Sequence, residues 1–352
     1  MIFFRNLLSV ALCAGAVSAC TAALIQGNGL DPHGSTLQAK SPEAPRQFAP
    51  WGEVRGNPRR SASPQAPETP GKSTSQDVKA ASLRLALERQ LEAEAAAVDG
   101  VVGYAIVDLT TGERFGRLED EQFPTASTIK LAILYELFKQ ADEGRLRLAE
   151  ARLLDRRHAV GGSGILDELT APSMPLRDYA TLMIMLSDNT ATNLLIDAVG
   201  MQNVNLRMAG LGLTKTLLRR RMIDLEAARR GDENVSTPGE IARLLEIMYR
   251  GDGLSRESQQ GMLTILKKPK STPLRAGVPA GVEVANKPGG LEGVVVDAGI
   301  VYLERRPYVL AMMATYLKQE KAGDDAIESA SRRAFDFFNR LARSSGYGRR
   351  IR

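Results

Sequence analysis

The sequence predicts an α+β fold: a three-layer α/β/α arrangement with an antiparallel sheet, extended by an all-α subdomain. Two observations lead there. Strand-like runs stand at both ends of the folded part, and helical periodicity fills the stretch between them. A sheet assembled from both ends of the chain, flanked by terminal helices, accommodates that order with the helical stretch as an insertion.

From Asp77, Leu83, Leu85, Ala86, Leu87, Leu91 and Ala95 recur at helical spacing, and a helix ends near Asp99-Gly100. Val101–Leu109 reads as a buried strand, Thr110-Thr111-Gly112-Glu113 as a turn, and Arg114-Phe115-Gly116 as the start of the return strand. Residues from about 140 to 265 read as all-helical, with gaps at glycines such as Gly161-Gly162-Ser163-Gly164. Strands return at Val282–Asn286, Val294–Leu303 and Tyr308–Tyr316, the last two joined by the turn Glu304-Arg305-Arg306-Pro307. An amphipathic helix, Ala326–Ala342, precedes a short basic tail, 346–352.

The first 76 residues differ in kind. Met1–Cys20 carries one positive residue (Arg5), the apolar stretch Leu7–Ala16 and then Val17-Ser18-Ala19-Cys20. An apolar core of about ten residues is too short for a permanent span and fits an export signal. The last four residues resemble a bacterial lipobox, which implies lipidation of Cys20 after cleavage; the alternative is an ordinary secretory signal cut near Ala19. Cys13, the only other cysteine, falls in the removed part, so the mature chain forms no disulfide. Residues 21–76 hold eight of the 17 prolines with abundant Ser, Gly and Gln, and cannot bury enough apolar surface to offset ordering entropy. They are expected to form a disordered tether, incidentally containing the only tryptophan, Trp51. The hydrolase domain expected beyond it is 77–345. A net charge of +5 with interspersed signs gives no footprint for nucleic acid.

The chemistry centres on Pro124-Thr125-Ala126-Ser127-Thr128-Ile129-Lys130 and the apolar run that follows. On a helix Ser127 and Lys130 share a face one turn apart, at an N-terminus that offers unpaired N–H groups and a positive dipole end. A hydroxyl nucleophile beside an amine and an oxyanion donor outlines a serine acyltransferase with a lysine base. Chance supplies roughly one Ser-x-x-Lys per chain of this size, so weight rests on two further motifs. Ser187-Asp188-Asn189 lies between apolar helical runs, where a turn with an N-cap is the simpler reading. Lys287-Pro288-Gly289-Gly290 ends a strand and is on its own only a glycine turn.

Taken together, Ser-x-x-Lys, Ser-Asp-Asn and Lys-x-Gly, at intervals of 60 and 100 residues, resemble the signature of class A β-lactamases and penicillin-binding proteins of the D,D-peptidase type. The resemblance runs from about Asp77 to Leu341. It implies Ser127 as acylating nucleophile, Lys130 as its proton acceptor and Ser187 as the relay to the leaving nitrogen. Asn189 would orient the substrate amide. Lys287 would face the substrate carboxylate, with Gly289 and Gly290 beside the substrate and the N–H groups of Ser127 and Gly290 as the oxyanion hole. No metal and no cofactor is implied; the two histidines, His33 and His158, supply neither a zinc site nor a separate triad.

Two departures stand out. Pro288 replaces the hydroxyl residue that usually follows the lysine, which removes a hydrogen bond to a substrate carboxylate worth roughly 1.5–3 kcal/mol. The glutamate that activates the deacylating water in class A enzymes would fall at Ile223, in Arg221-Met222-Ile223-Asp224-Leu225-Glu226. Asp224 is the candidate replacement base; the plainer reading pairs Asp224 and Glu226 with the surrounding arginines. The expectation is an exported, lipid-anchored, monomeric serine hydrolase acylated at Ser127 by β-lactams or related amides, with slow turnover. A D,D-peptidase or esterase acting on cell-wall peptides, and a non-catalytic peptidoglycan-binding lipoprotein, are the alternatives.

Cys20→Ala is expected to release the protein from membranes and to remove a fatty-acyl mass increment. A wild-type protein recovered soluble with an unmodified N-terminus would show the anchor to be wrong.

Overall fold

The structure is a computed structural model that describes residues 75–351 apart from 157, 158 and 171. The export segment, Cys20, the tether with Trp51, His33 and His158 lie outside the described residues. No helix among those described is long and apolar enough to cross a membrane.

After helix α1 (Ser75–Ala97) come strands β1 (Val101–Asp108), β2 (Arg114–Arg117) and the short β3 (Phe123–Pro124). The chain then enters helix α2 (Lys130–Asp142), followed by β4 (Ala151–Leu153), β5 (Ser173–Pro175), α3 (Leu176–Met185), α4 (Asn189–Val199), α5 (Met201–Gly210) and α6 (Leu225–Arg229). Strand β6 (Val235–Ser236) leads to α7 (Pro238–Arg250), α8 (Arg256–Lys267) and the single turn α9 (Pro273–Ala276). Strands β7 (Val284–Leu291), β8 (Val294–Val301) and β9 (Tyr308–Thr315) and helix α10 (Glu320–Ala342) complete the order.

Five strands form one antiparallel sheet in the order β2-β1-β9-β8-β7. The first long strand pairs with the last, Val101 opposite Thr315 and Asp108 opposite Tyr308. Every strand of this sheet except the edges is buried on both faces, so its sequence reads as an apolar run and the alternation shows only in what each residue touches. Tyr104 and Ile106 join a core with Phe335, Phe337 and Phe338 of α10, and Ala105 and Val107 join the core of the helical side. Tyr308 stacks on Phe338 with ring centroids 4.3 Å apart, which fixes α10 to the central strand. The expected α+β layering is what the chain forms.

Helix α2 is buried along nearly its whole length, as a helix apolar on all sides must be. Its one internal acid, Glu136, is buried and accepts from Gln140 at 2.7 Å, Arg207 Nε at 2.7 Å and Arg145 at 3.2 Å. Those partners come from α2 itself, from α5 and from the segment after α2, so the charge ties three pieces of the helical side to the central helix.

Four expectations need correction. Ser127 lies on a separate 3₁₀ turn, Ala126–Ile129, and α2 proper starts at Lys130. The tighter turn still brings residues three apart into register, because i and i+3 eclipse in a 3₁₀ turn. Lys287-Pro288-Gly289-Gly290 is not a turn at a strand end but the middle of β7, which runs on to Leu291. Proline is tolerated there because β7 is an edge strand. The stretch from 140 to 265 is not all-helical: β4 pairs with β5, and β6 pairs with β3. Both pairs are two or three residues long, too short for a period-two pattern to register. The last helix starts at Glu320, not Ala326, because its first turns are polar.

Candidate active site

Three separate elements converge on one hydroxyl. Lys130, at the start of α2, places its Nζ 3.1 Å from Ser187 Oγ, and Lys287, from β7, places its Nζ 3.0 Å from the same oxygen. Both lysines are fully buried. Lys130 also donates to the Ser187 carbonyl at 2.7 Å and to Asn189 Oδ1 at 3.0 Å, and Lys287 donates to the Pro288 carbonyl at 2.7 Å. Burial, followed by the nearby Lys287 cation, holds Lys130 well below the usual lysine range, with Asp188 opposing weakly. Burial also lowers Lys287 to about 7; buried Asp297 opposes that shift and Lys270 adds to it.

These contacts define what Lys130 can do. The Ser187 carbonyl and Asn189 Oδ1 can only accept, so they take two N–H groups. The third contact is to a hydroxyl, which can donate into the lone pair of a neutral amine. A protonated Lys287 then donates to Ser187 Oγ from the other side. The arrangement is a short chain of exchangeable protons, Lys287 to Ser187 to Lys130.

Asn189 is held in this orientation by its own Nδ2, which donates to the Gly161 carbonyl at 3.0 Å. Asp188 is the N-cap of α4, accepting from Ala191 N at 2.8 Å, and its second oxygen accepts from Ile165 N and Leu166 N at 2.8 and 3.0 Å. Its neighbour Asn189 N donates to the Ser163 carbonyl. The N-cap reading of the tripeptide is therefore correct for its aspartate, while the residues on either side serve the site. The Gly161–Gly164 segment, expected only as a gap between helices, is the wall onto which this loop is fastened.

Ser127 stands one turn before Lys130 and lines a cleft of about 210 Å³ with Asn189, Ser163, Ile223 and Gly290. Thr128 Oγ1 donates to the Lys287 carbonyl at 3.3 Å, and Thr125 N and Oγ1 donate to the Asn234 carbonyl at 2.9 and 3.0 Å. The turn is thus tied to β7 on one side and to the loop before β6 on the other. A Cβ on Gly289 would lie 2.8 Å from Ser127 N and 2.8 Å from the Thr125 carbonyl, so β7 can pass this close only as glycine. Among the described residues, six other than glycine adopt positive φ, and three of them are Ala126, Ser187 and Ile223. Strained backbone collecting at one place is a mark of a functional site.

Ile223 lines the cleft and packs toward Gly162, whose Cβ would meet its Cδ1 at 3.1 Å. Asp224 is placed differently from the role considered for it. Its carboxylate caps α6, accepting from Ala227 N at 2.9 Å, and it is not part of the cleft lining. Among the described residues no ion pair joins Asp224 or Glu226 to the arginines around them, although the Asp224 charge acts on Arg221 through space. Arg220 pairs with Glu233 at 2.8 Å, Arg221 with Asp197 and Arg230 with Asp232. The loop is held instead by Asn193, which accepts from Met222 N at 2.9 Å and donates to the Met222 carbonyl at 3.2 Å.

Arg220 and Glu233 both line the cleft, and the sequence reading placed neither there. One arginine among five in the loop carries no signal of its own. Asn193, four residues after Asn189, is a buried polar residue on the same face of α4, and that spacing was an available clue. No group of three or more Asp, Glu, His or Cys among the described residues could hold a metal ion.

Comparison with known proteins agrees with this geometry. A family model described as the β-lactamase enzyme family matches residues 86–338. An imipenem-hydrolysing β-lactamase of Enterobacter cloacae is 29% identical over 247 residues, 68% of this chain and 85% of that protein. A β-lactamase structure from Sphaerobacter thermophilus has 32% identity and a TM-score of 0.65, covering 72% of this chain and 97% of that one. A mutant of PBP-A, solved as an acyl-enzyme complex with penicillin G, has 30% identity and a TM-score of 0.67 at 72% and 97% coverage.

Gly289 and Gly290 offer a paired test of the close approach. Gly289→Ala is expected to push the Ser127 turn from β7 and cost about 1–3 kcal/mol in urea denaturation. Gly290→Ala, whose Cβ would have no neighbour nearer than 3.9 Å, should be near neutral. Equal costs at the two positions would contradict the packing described.

Proposed function

Because this chain belongs to the β-lactamase enzyme family, we propose that it is a serine hydrolase of the class A β-lactamase type, acylated at Ser127 by β-lactams or related amides. The observation that carries this reading is the pair of buried amines on the Ser187 hydroxyl, one of which, Lys130, lies one turn after Ser127. Ser127 Oγ attacks the lactam carbonyl and gives its proton to neutral Lys130. A C–O bond forms, and the carbonyl oxygen takes the negative charge facing the N–H groups of Ser127 and Gly290. As the tetrahedral intermediate collapses the C–N bond breaks, and the proton passes from Lys130 through Ser187 Oγ to the leaving nitrogen. Lys287, as a cation, holds the substrate carboxylate, with Asn189 on the substrate amide and Gly289 and Gly290 along its edge. Water then hydrolyses the ester.

Deacylation is the slow half in this reading. Ile223 stands where the water-activating glutamate is expected and cannot take a proton, and Asp224 is occupied as a helix cap. The same feature favours a second reading, a D,D-peptidase acting on cell-wall peptides, which is tested by release of D-alanine from a D-alanyl-D-alanine peptide. We also propose export and attachment through a lipidated Cys20, on the sequence of residues 1–20.

Mass spectrometry with a chromogenic β-lactam tests the main reading. A stoichiometric burst with one adduct on Ser127 is expected, abolished in Ser127→Ala. Asp224→Asn should leave the slow phase unchanged. Ile223→Glu should speed it by roughly 10²-fold, the usual gain from a positioned general base. An adduct persisting in Ser127→Ala would identify a different nucleophile.

The proton affinities give a pH prediction. Lys287, lowered to about 7, is charged below that pH and neutral above it. The second-order acylation constant should therefore fall as pH rises through about 7, mainly through weaker binding of the carboxylate. An acid limb should appear where Lys130 becomes protonated. Lys287→Arg should erase the alkaline limb, since a guanidinium stays charged. A pH profile flat above neutrality in the wild type would remove Lys287 from carboxylate binding.

A further inference from the structure

On the face of the sheet away from Ser127, α1, α10 and the C-terminal turn enclose a second cavity of about 510 Å³. We propose that it binds the phosphoglycerol head of an anionic membrane lipid and so docks the domain on the bilayer.

The cavity is lined by cations that the fold leaves uncommitted. Arg340, Arg343 and Arg350 form no ion pair among the described residues. Lys79 makes one hydrogen bond, to the Tyr347 carbonyl at 3.1 Å, which leaves its charge unneutralised. A fifth cation, Arg306, is already spent on Asp108 at 2.6 Å. Among the described residues Asp336 is the only carboxylate side chain in the lining. Guanidiniums without partners in one cavity lining suit a phosphate, which each can grip through two parallel N–H bonds.

Two further features narrow the ligand. Asn339 lines the cavity, and its Oδ1 is buried with no hydrogen-bond partner. Such an acceptor needs a donor, and a phosphodiester has none to offer, whereas a glycerol hydroxyl beside it does. Leu83, Leu341 and Ala80 add an apolar wall on which the first part of an acyl chain can lie. Position matters as well. Lys79 stands four residues after the start of α1, so α1 begins beside this cavity.

The test uses the full chain carrying Cys20→Ala, so that no acyl anchor contributes, and cosedimentation with vesicles. Vesicles of phosphatidylglycerol and phosphatidylcholine in equal parts should bind it, and pure phosphatidylcholine vesicles should not. Arg340→Gln/Arg343→Gln/Arg350→Gln should lower partitioning on the order of 100-fold, from about fivefold per basic residue. A charge-matched control, Lys215→Gln/Arg229→Gln/Arg256→Gln, should keep most of it. If the triple variant melts early, single Arg340→Gln and Arg343→Gln changes carry the test, each expected to cost about fivefold. Equal loss in the control would reduce the effect to net charge and overturn the site. So would equal binding to both vesicle types, or calorimetric binding of free glycerol phosphate as tight as binding to vesicles. The proposal does not depend on the chemistry at Ser127, which a β-lactam adduct reports separately in every variant.

Discussion

The structure depends on burying two amines against one hydroxyl. Moving a charged lysine out of water is costly, and two side by side are more so. The protein offsets the cost in two ways. Carbonyl oxygens of Ser187 and Pro288 and the Asn189 amide surround the two nitrogens, and both lysines hold their protons less tightly than in water. Each partner comes from a different part of the chain: Lys130 from the central helix, Ser187 and Asn189 from the loop between α3 and α4, Lys287 from the sheet edge. The rest of the fold can be read as the means of holding those three pieces together.

Much of this was readable in the residues, and the failures have physical causes. The layers followed from where apolar runs stood in the chain, and β1, β8 and β9 fell within one or two residues of their expected ends. Strands of two or three residues carry no period, so β3 to β6 were invisible. The Lys287 motif looked like a turn because proline and two glycines usually make one. Only the packing of β7 on the Ser127 turn, which forbids a Cβ at Gly289, shows why a strand would carry them. Ser127, Lys130, Ser187 and Lys287 could be singled out because their chemistry is unusual at those intervals. The convergence of both lysines on the Ser187 hydroxyl could not, because it is set by contacts more than 50 residues apart.

The loop from Arg219 to Asn234 shows how one region can keep its shape while its chemistry changes. Asn193 grips Met222, and Asn234 Oδ1 accepts from Arg219 N and Arg220 N at 2.7 and 3.0 Å. Both asparagines bond to backbone, so the path of the loop is independent of the side chain at 223. An isoleucine with φ of +61° can therefore occupy the wall of the cleft. The charged pair in that wall, Arg220 with Glu233, closes on itself. It gives the cleft a rigid polar rim without a free carboxylate.

The pairing of β1 with β9 has a consequence for how the protein is made. Val101 meets Thr315 across more than 200 residues of intervening chain, and β8 and β7 are added beyond β9. No part of the central sheet larger than the β1–β2 hairpin can close until the last third of the chain is available, and closure of so long a loop is slow. The early chain therefore emerges from synthesis with one edge of its apolar strand β1 unpaired. That keeps it threadable but exposes it to aggregation. For such a chain, delayed folding is built into the order of its strands.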